Sequence, residues 1–341
     1  MSVFVFDPTV SDQQSKVRGV GRYLQILQEN LPEVQFVNVL NSVPYESVLI
    51  NPFLNLIAPP LISKRLAKKQ IGVIHDLIPL KYPSHFPLGL RGNYKYLLNR
   101  HYLRYYDLFV TDSETSRNDL IKILKIPGGK IKVVYPTLGR RFFQQKMKAD
   151  FQPPVNKYCL YVGDATWNKN LICLARAIKK INVTAVFVGK VFADIATVRD
   201  LARHSPPHPW EREFQGFLDE TQGDKRFIFI GYVSDSMLIK FYQQAHCNVL
   251  ISRDEGFGFS YLESATLGTP SVLSDIPVFH EVAKDQAMFA DPKNVADIAN
   301  KIGELYFNDE VWKLWKAKAL YRAKYFSQEK FRANWQSILA V

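Results

Sequence analysis

Short runs of β-branched and aromatic residues recur along the chain, and longer amphipathic stretches separate them. This alternation is typical of parallel strands joined by crossover helices. We predict twelve strands, at residues 3–6, 35–39, 48–50, 71–75, 108–111 and 131–134 in the first half and at residues 158–162, 184–188, 227–230, 248–251, 271–273 and 287–289 in the second. The pattern therefore predicts two doubly wound α/β units, one in each half of the chain.

The length of the chain also favours two domains. Its 341 residues exceed the roughly 250–300 at which a single hydrophobic core stops growing. The segment 148–156 contains Pro153 and Pro154, which continue neither a helix nor a central strand, so we place the boundary there and assign residues 1–150 to the first domain. Two facing domains of this type would form a cleft at the carboxyl ends of both sheets, where such folds bind ligands.

Composition excludes several classes of protein. Apolar residues make up 47% of the chain and charged residues 22%, which is ordinary for a folded globular protein. The three cysteines are odd in number and widely spaced, so we expect neither a disulfide framework nor a zinc site. Because there is no apolar run of about 18 residues and no signal-peptide pattern at the start, we expect a cytoplasmic protein.

The positive charge is concentrated in the first half. The chain carries a formal net charge of +12, which indicates an anionic partner such as nucleic acid, an acidic membrane or a phosphorylated substrate. Residues 1–150 hold 21 Lys and Arg against 11 Asp and Glu, so nearly all of the excess, +10, lies there. Within this half, the segment GLRGNYKYLLNRHYLRYY places basic residues four apart, in the pairs Arg91/Lys95 and Arg100/Arg104.

On a helix, this spacing gives a basic stripe beside an aromatic one, which suits the headgroup layer of a membrane. The alternative is a solvated helix face whose aromatic residues point into the core. The excess of charge in the whole first half favours a membrane or acceptor surface.

Two segments of the first half follow predicted strands. Gly19 and Gly21 precede a predicted helix with the apolar face Tyr23, Leu24, Leu27 and Leu31, so they suit a ligand loop whose helix start binds an anion. Arg22 could meet a phosphate there or only solvent. The fourth strand ends at His75, which could act over the cleft as a hydrogen-bond donor or proton carrier, or could be structural.

Two further segments follow strands of the second half. After the seventh strand, Gly163 makes a turn and Lys169 precedes a helix, where a cation can neutralise a diphosphate or can simply be exposed. After the ninth strand, Tyr232 and Val233 lie in a turn whose backbone could contact the edge of a nucleobase. Ser234 or Asp235 is the expected N-cap of the next helix.

The most informative segment is EGFGFSYLE. Glu255 and Glu263 enclose seven residues, with Gly256 and Gly258 in a tight loop and a helix predicted to begin near Phe259 or Ser260. One carboxylate would lie in the loop and the other in the first turn of the helix, with free N–H groups between them. Carboxylates accept hydrogen bonds from sugar hydroxyls and helix starts bind phosphates, so this segment suits a ligand carrying both.

These residues resemble a known family. The spacing of Glu255 and Glu263 matches the signature of the retaining GT-B glycosyltransferases of family GT4, and the GxGRY, HDLIPLKYP, YVG…KN, GYV and FADPKNVADIANKI segments appear in the family's order. The resemblance implies two Rossmann-like domains, with the acceptor on residues 1–150 and a nucleotide sugar on residues 151–324. It also implies that the helix in residues 325–341 packs back on the first domain.

The resemblance assigns roles to particular residues. Glu255 and His75 would act at the donor sugar, Lys169 would neutralise the diphosphate, and Glu263 would hold the ribose hydroxyls. The donor-binding set would be Gly21, Gly163, Lys169, Tyr232, Val233, Gly256, Phe257, Gly258, Phe259 and Glu263. GT-B enzymes need no metal, and the absence of an Asp-x-Asp motif agrees with that, so neither a metal nor another cofactor is expected.

The implied reaction is transfer of a hexose, with retention of anomeric configuration, to a saccharide or lipid-linked acceptor in the synthesis of a surface polysaccharide or glycolipid. GDP-mannose is the first expected donor, since HDLIPLKYP and YVG…KN look most like the mannosyl- and rhamnosyltransferase branch. A nucleotide-sugar epimerase and a nucleic-acid-binding protein are the alternatives, although no nucleic-acid motif is found. One position departs from the family: many relatives have Arg where this chain has Asp164. Either Arg253, Arg22 or another residue compensates, or donor binding is weak, as in a partner-dependent or inactive member.

Overall fold

Two six-stranded sheets, parallel throughout, form the framework of the protein. The computed structural model describes residues 1–10, 19–144, 152–195, 209 and 211–340. The chain divides into unit 1, comprising Met1–Pro83, Pro87–Arg140 and Phe326–Val341, and unit 2, comprising Ser84–Phe86 and Arg141–Tyr325. The boundary predicted at residues 148–156 lies partly outside the described residues.

The sheet of unit 1 has the order β2-β1-β3-β4-β5-β6. Its strands are β1 (Ser2–Phe6), β2 (Gln35–Val37), β3 (Ser47–Asn51), β4 (Lys69–Val73), β5 (Leu108–Thr111) and β6 (Ile131–Val133). Among the described residues of this unit, the α-helices before its last one are α1 (Gly19–Asn30), α2 (Ile78–Lys81), α3 (Gly89–Tyr102) and α4 (Glu114–Asp119). All five residues of β3 are buried, as expected for a parallel strand that is covered on both faces.

One local prediction for α1 is wrong. Gly19 and Gly21 lie in the first turn of this helix and not in a loop before it. The predicted apolar face is confirmed, because Tyr23, Leu24 and Leu27 are buried. Packing of that face outweighs the helix penalty of glycine, which is about 1 kcal/mol per residue.

The sheet of unit 2 has the order β12-β11-β10-β7-β8-β9. Its strands are β7 (Cys159–Val162), β8 (Ala185–Val188), β9 (Phe227–Ile230), β10 (Cys247–Leu250), β11 (Ser271–Ser274) and β12 (Met288–Ala290). In the part of unit 2 that the structure describes, the α-helices are α5 (Leu171–Ile181), α6 (Arg212–Glu220), α7 (Asp235–Gln244), α8 (Phe259–Thr266), α9 (Pro277–Ala283), α10 (Val295–Phe307) and α11 (Asp309–Ala323). All twelve predicted strands are confirmed, with bounds within two residues.

The last helix, α12 (Gln328–Leu339), belongs to unit 1. Phe331, Trp335 and Ile338 are buried on its inner face. The Lys69 ammonium donates a hydrogen bond to the carbonyl of Ile338 (2.8 Å), and the Thr137 hydroxyl donates to the carbonyl of Phe326 (2.7 Å). The final residues of the chain therefore complete the core of the unit that contains its first residues.

Among the described residues, no helix is both long and apolar enough to cross a membrane.

Candidate functional site

The order of strands in unit 2 places its switch point between β7 and β10. Chain connections leave these two neighbouring strands in opposite directions, and ligands of doubly wound sheets bind where this happens. Gly163 and Lys169 follow β7, while Glu255 follows β10. The structure brings two of the predicted residues together here, because the Lys169 ammonium donates to Glu255 Oε1 at 2.7 Å.

This ion pair is held in place by the two loops that carry it. The Ser252 hydroxyl donates to the same Glu255 oxygen (2.7 Å), and the Asn168 amide donates to the carbonyl of Asp254 (3.1 Å). The Lys169 and Glu255 side chains keep 20% and 11% of their surface exposed. They are therefore ordered by the protein, yet remain accessible to a ligand at the carboxyl edge of the sheet.

The second predicted carboxylate lies deeper. Glu263 is only 1% exposed, and its Oε2 accepts a hydrogen bond from the Tyr242 hydroxyl (2.7 Å). Helix α8 begins at Phe259, as predicted, but Glu263 is its fifth residue and starts the second turn, so its placement in the first turn is wrong. Sequence reasoning missed Tyr242, because a tyrosine within an apolar helix face looks like an ordinary core residue.

Gly258 connects the two carboxylates and needs to be glycine. Its φ is +95°, in the left-handed region, and a Cβ at this position would lie 2.7 Å from Cε1 of Phe279. Gly223 has a similar φ of +71°, but a Cβ there would meet nothing within 4 Å. Alanine substitutions at Gly258 and at Gly223 therefore separate the cost of backbone strain from the cost of a steric clash.

We expect Gly223→Ala to lower the free energy of unfolding by about 1–2 kcal/mol, since only backbone strain is added. Gly258→Ala should cost about 1–3 kcal/mol more, because the new methyl group also overpacks against Phe279. Urea denaturation of both variants measures this difference. Equal destabilisation would show that the contact with Phe279 does not fix this loop.

The other predicted residues of unit 2 follow β7, β9 and β10. Tyr232 is exposed in the turn after β9, and the predicted N-cap of α7 is confirmed, since the Ser234 side chain accepts from the N–H of Met237 (3.4 Å). Gly256 and the buried Phe257 lie between Glu255 and Gly258. Gly163, Val233 and Phe259 complete the set in unit 2, whereas Gly21 lies in unit 1.

Asp164 is exposed directly after Gly163, at the position where the family resemblance implies Arg. Arg253 donates to the carbonyl of Trp167 and to Glu213 Oε2 (3.1 Å), and its guanidinium lies over the Trp167 ring, so like Lys169 it is paired with a carboxylate. Arg22 lies in α1 of unit 1. Lys169, the cation that the sequence assigned to the diphosphate, follows β7 and Arg253 follows β10, so both lie at the switch point of unit 2.

A separate cluster surrounds His75 in unit 1, two residues beyond β4. Its Nδ1 lies 2.6 Å from Oδ2 of Asp112, and its Nε2 lies 3.2 Å from the carbonyl oxygen of Pro52. The Tyr23 ring packs edge-on against the imidazole at 4.7 Å between centroids, and the Ser116 hydroxyl donates to the backbone carbonyl of His75 (3.0 Å). The imidazole is therefore fixed from several sides.

The partners of His75 favour its charged form. Burial alone would lower the pKa of His75, but the charge and hydrogen bond of Asp112 raise the pKa, and the net shift is upward. A carboxylate and a carbonyl both accept hydrogen bonds, so an imidazolium with two N–H groups satisfies both contacts. This arrangement suits a fixed cation and argues against a proton carrier. Asp112, which directly follows β5, was not predicted, although its position after the neighbouring strand could have indicated it.

The four basic residues predicted as a surface lie at α3. Arg91, Lys95 and Arg100 belong to the helix, but α3 ends at Tyr102, so Arg104 lies in the single turn Leu103–Tyr105 that follows. The observed helix α3 is therefore shorter than the helix predicted from the spacing, which included Arg104. Within the described parts of the chain, no group of three or more His, Cys, Asp or Glu side chains is arranged to hold a metal ion.

Two doubly wound sheets with these carboxylates and this lysine define a two-domain α/β protein of the GT-B type. The chain belongs to the group 1 glycosyl transferases: residues 143–320, more than half of its length, match that family. It is 26% identical over 227 residues to the O-antigen chain mannosyltransferase RfbU of Salmonella typhimurium, a match that covers 67% of this chain and 58% of that protein. It is also 26% identical over 270 residues to the O-antigen chain mannosyltransferase B of Escherichia coli, covering 77% and 68%.

Solved structures show the same fold over the whole chain. Anabaena Alr3699/HepE, solved in complex with UDP and glucose, gives a TM-score of 0.71 at 14% identity and covers 100% of this chain and 99% of that one. Sucrose-phosphate synthase of Thermosynechococcus elongatus gives 0.68 at 14% identity, covering 99% and 98%. At this level of identity the likeness concerns the fold alone.

Proposed function

We propose that this protein is a retaining glycosyltransferase that moves a hexose from a nucleotide-diphosphate sugar to a saccharide or lipid-linked acceptor. The observation that carries the proposal is the contact between Lys169 and Glu255 at the switch point of the unit 2 sheet. Family membership and the two O-antigen mannosyltransferase relatives support a role in surface polysaccharide synthesis. We propose GDP-mannose as the first donor because both of these relatives are mannosyltransferases.

The residues of unit 2 suit this chemistry. Transfer breaks the bond between the anomeric carbon and the phosphate oxygen, and negative charge develops on the departing diphosphate. Lys169 is placed to stabilise that charge, while Glu255 accepts hydrogen bonds from the donor sugar. The departing phosphate oxygen takes the acceptor proton as the new glycosidic bond forms on the same face of the sugar. Because Lys169 supplies the positive charge, we propose that the reaction needs no metal.

A donor screen tests the proposal. Purified protein should release nucleoside diphosphate from one of GDP-mannose, UDP-glucose, UDP-N-acetylglucosamine and dTDP-rhamnose when an acceptor panel is present. The product should keep the anomeric configuration of the donor by NMR, and EDTA should leave the rate unchanged. No turnover with any donor and acceptor would contradict the proposed function, and conversion of a donor without an acceptor would indicate an epimerase.

We also propose that the protein works in the cytoplasm, at the inner face of a membrane. The net charge of +10 on residues 1–150 supports attraction to anionic lipids. Such attraction is screened by salt, so binding to anionic vesicles should weaken as the ionic strength rises. Equal binding to neutral vesicles would contradict this electrostatic contribution.

A further inference from the structure

Helix α3 presents apolar side chains to solvent. Leu90, Tyr94 and Leu97 are 91%, 63% and 61% exposed. Their spacing of four and three residues places them on one face of the helix, which we call the α3 outer stripe. In a helix that packs on a domain, apolar residues with this spacing normally face the core. In α3 this apolar face points to solvent instead.

The inner side of α3 is anchored by a polar residue. Asn99 is buried, and its amide donates to the carbonyl oxygens of Leu56 (3.1 Å) and Ala58 (2.8 Å). At 100° per residue, Asn99 lies on the side of the helix opposite Leu90. The hydrogen bonds of Asn99 therefore fix which face of α3 turns outward, and the outer stripe is a stable feature of the surface.

Positive charges flank the outer stripe on both sides. On the helix, Arg91 lies about 100° to one side of Leu90 and Arg100 about 80° to the other, and both are exposed. The exposed Arg104 follows in the next turn. The sequence from Leu88 to Tyr106 contains no Asp or Glu. An apolar stripe between two cationic edges complements a layer of anionic headgroups above acyl chains.

The geometry of α3 bears on both interpretations of the sequence, since Tyr106 lies in the core and Tyr96 packs against it, as the second interpretation predicts. A solvated face with its aromatic residues in the core is wrong for the outer stripe, because Tyr94 points outward with Leu90 and Leu97. Charge alone would attract an anionic surface without exposed apolar groups, and burying those groups adds a contribution that salt does not screen.

We propose that α3 lies in the headgroup layer of an anionic membrane, with Leu90, Tyr94 and Leu97 at the boundary of the acyl chains. Arg91, Arg100 and Arg104 contact lipid phosphates at the two edges of the stripe. The proposal concerns binding and does not rest on the proposed glycosyl transfer, so it can be tested in the absence of any donor or acceptor.

The experiment is sedimentation of the full chain with vesicles of phosphatidylcholine, alone or mixed with phosphatidylglycerol, at low and high salt. Wild type should bind the mixed vesicles, and part of that binding should survive high salt. The variant Leu90→Ser/Tyr94→Ser/Leu97→Ser should lose the salt-resistant part and bind at least about tenfold more weakly. The variant Arg91→Gln/Arg100→Gln/Arg104→Gln should lose the salt-sensitive part.

A matched control comes from unit 2. Phe307, Leu314 and Tyr321 are 65%, 54% and 71% exposed, so Phe307→Ser/Leu314→Ser/Tyr321→Ser removes as many exposed apolar side chains elsewhere. This control should bind vesicles like wild type. Equal weakening in the control, or unchanged binding of the α3 serine variant, would overturn the proposal. Because every substituted residue is exposed, thermal melts of all variants should stay close to wild type.

A second measurement reports insertion directly. Trp placed at position 90 by Leu90→Trp should be quenched by brominated acyl chains in the mixed vesicles, beyond the quenching of the wild-type tryptophans. Leu314→Trp in α11 serves as the matched control and should show no added quenching. Vesicle binding without added quenching of Leu90→Trp would show that charges alone hold the protein, and would overturn insertion of the stripe.

Discussion

Glu255→Ala is expected to lower the kcat of sugar transfer by about a hundred- to a thousandfold. In the structure the Glu255 carboxylate accepts from both Lys169 and Ser252 at 2.7 Å, so it orders the cation that we propose for the departing diphosphate. Its removal takes away the acceptor for the sugar hydroxyls and also releases Lys169 from its position. Release of nucleoside diphosphate from the best donor of the screen measures the loss.

The control for this variant is an ion pair of the same length in the same unit. Glu310 lies 2.7 Å from Lys313, but both side chains are exposed, so their pairing is worth little and Glu310→Ala should leave the rate unchanged. Glu255→Gln keeps the size and a hydrogen-bond acceptor but removes the charge, so it separates positioning from electrostatics. A rate near wild type for Glu255→Ala would contradict the assignment of Glu255 to the site.

Most strands were predictable because central parallel strands are buried on both faces and appear as continuous apolar runs, although the edge strands β2, β6 and β9 are only partly buried. The bounds of individual elements were less predictable where packing competes with local preference. Gly19 and Gly21 suggested a loop, yet the buried side chains of Tyr23 and Leu27 extend α1 through both glycines. The spacing in α3 identified a stripe, but spacing does not tell which face of a helix turns inward. That choice depends on Asn99, two of whose three carbonyl acceptors lie more than 40 residues away.

The site was predictable where its residues follow strands in recognisable segments. Lys169 and Glu255 were both expected at the carboxyl edge of the sheet, although no local pattern gives the distance between residues 86 positions apart. Their partners were missed for the same reason. Tyr242 and Asp112 act through contacts that exist only after folding, with Glu263 in one case and His75 in the other.

The contact between Asp112 and His75 leads to the second large effect. Asp112→Asn is expected to lower the pKa of His75, because the charge that raises it is removed while the burial that lowers it remains. In wild type, the folded-state pKa of His75 lies above its unfolded value of about 6.5. The stabilisation from this pair is therefore complete below pH 6.5 or so, and it is lost as the pH rises through the folded-state pKa.

The loss in free energy of unfolding caused by Asp112→Asn should consequently be largest at low pH. We expect a decrease of about 3 kcal/mol in the free energy of unfolding near pH 5.5, at the lower end of the range for breaking a buried pair, because the amide oxygen of Asn still accepts from Nδ1. Near pH 9 the difference should be small. Urea denaturation at both pH values measures the two quantities. Asp119→Asn, which breaks the half-buried 2.8 Å pair with Lys81, is the control and should show no such dependence on pH.

The same change should alter the pH profile of transfer. If the His75 imidazolium acts as a fixed cation at the edge of the unit 1 sheet, Asp112→Asn should lower kcat by up to about a hundredfold at neutral pH, because the lowered pKa leaves a larger fraction of the imidazole neutral. Activity relative to wild type should then recover as the pH falls and His75 regains its proton. A variant whose activity falls equally at every pH would assign Asp112 a purely structural role. A proton carrier at His75 would instead make the variant more active than wild type at low pH, because a lower pKa would keep the base unprotonated.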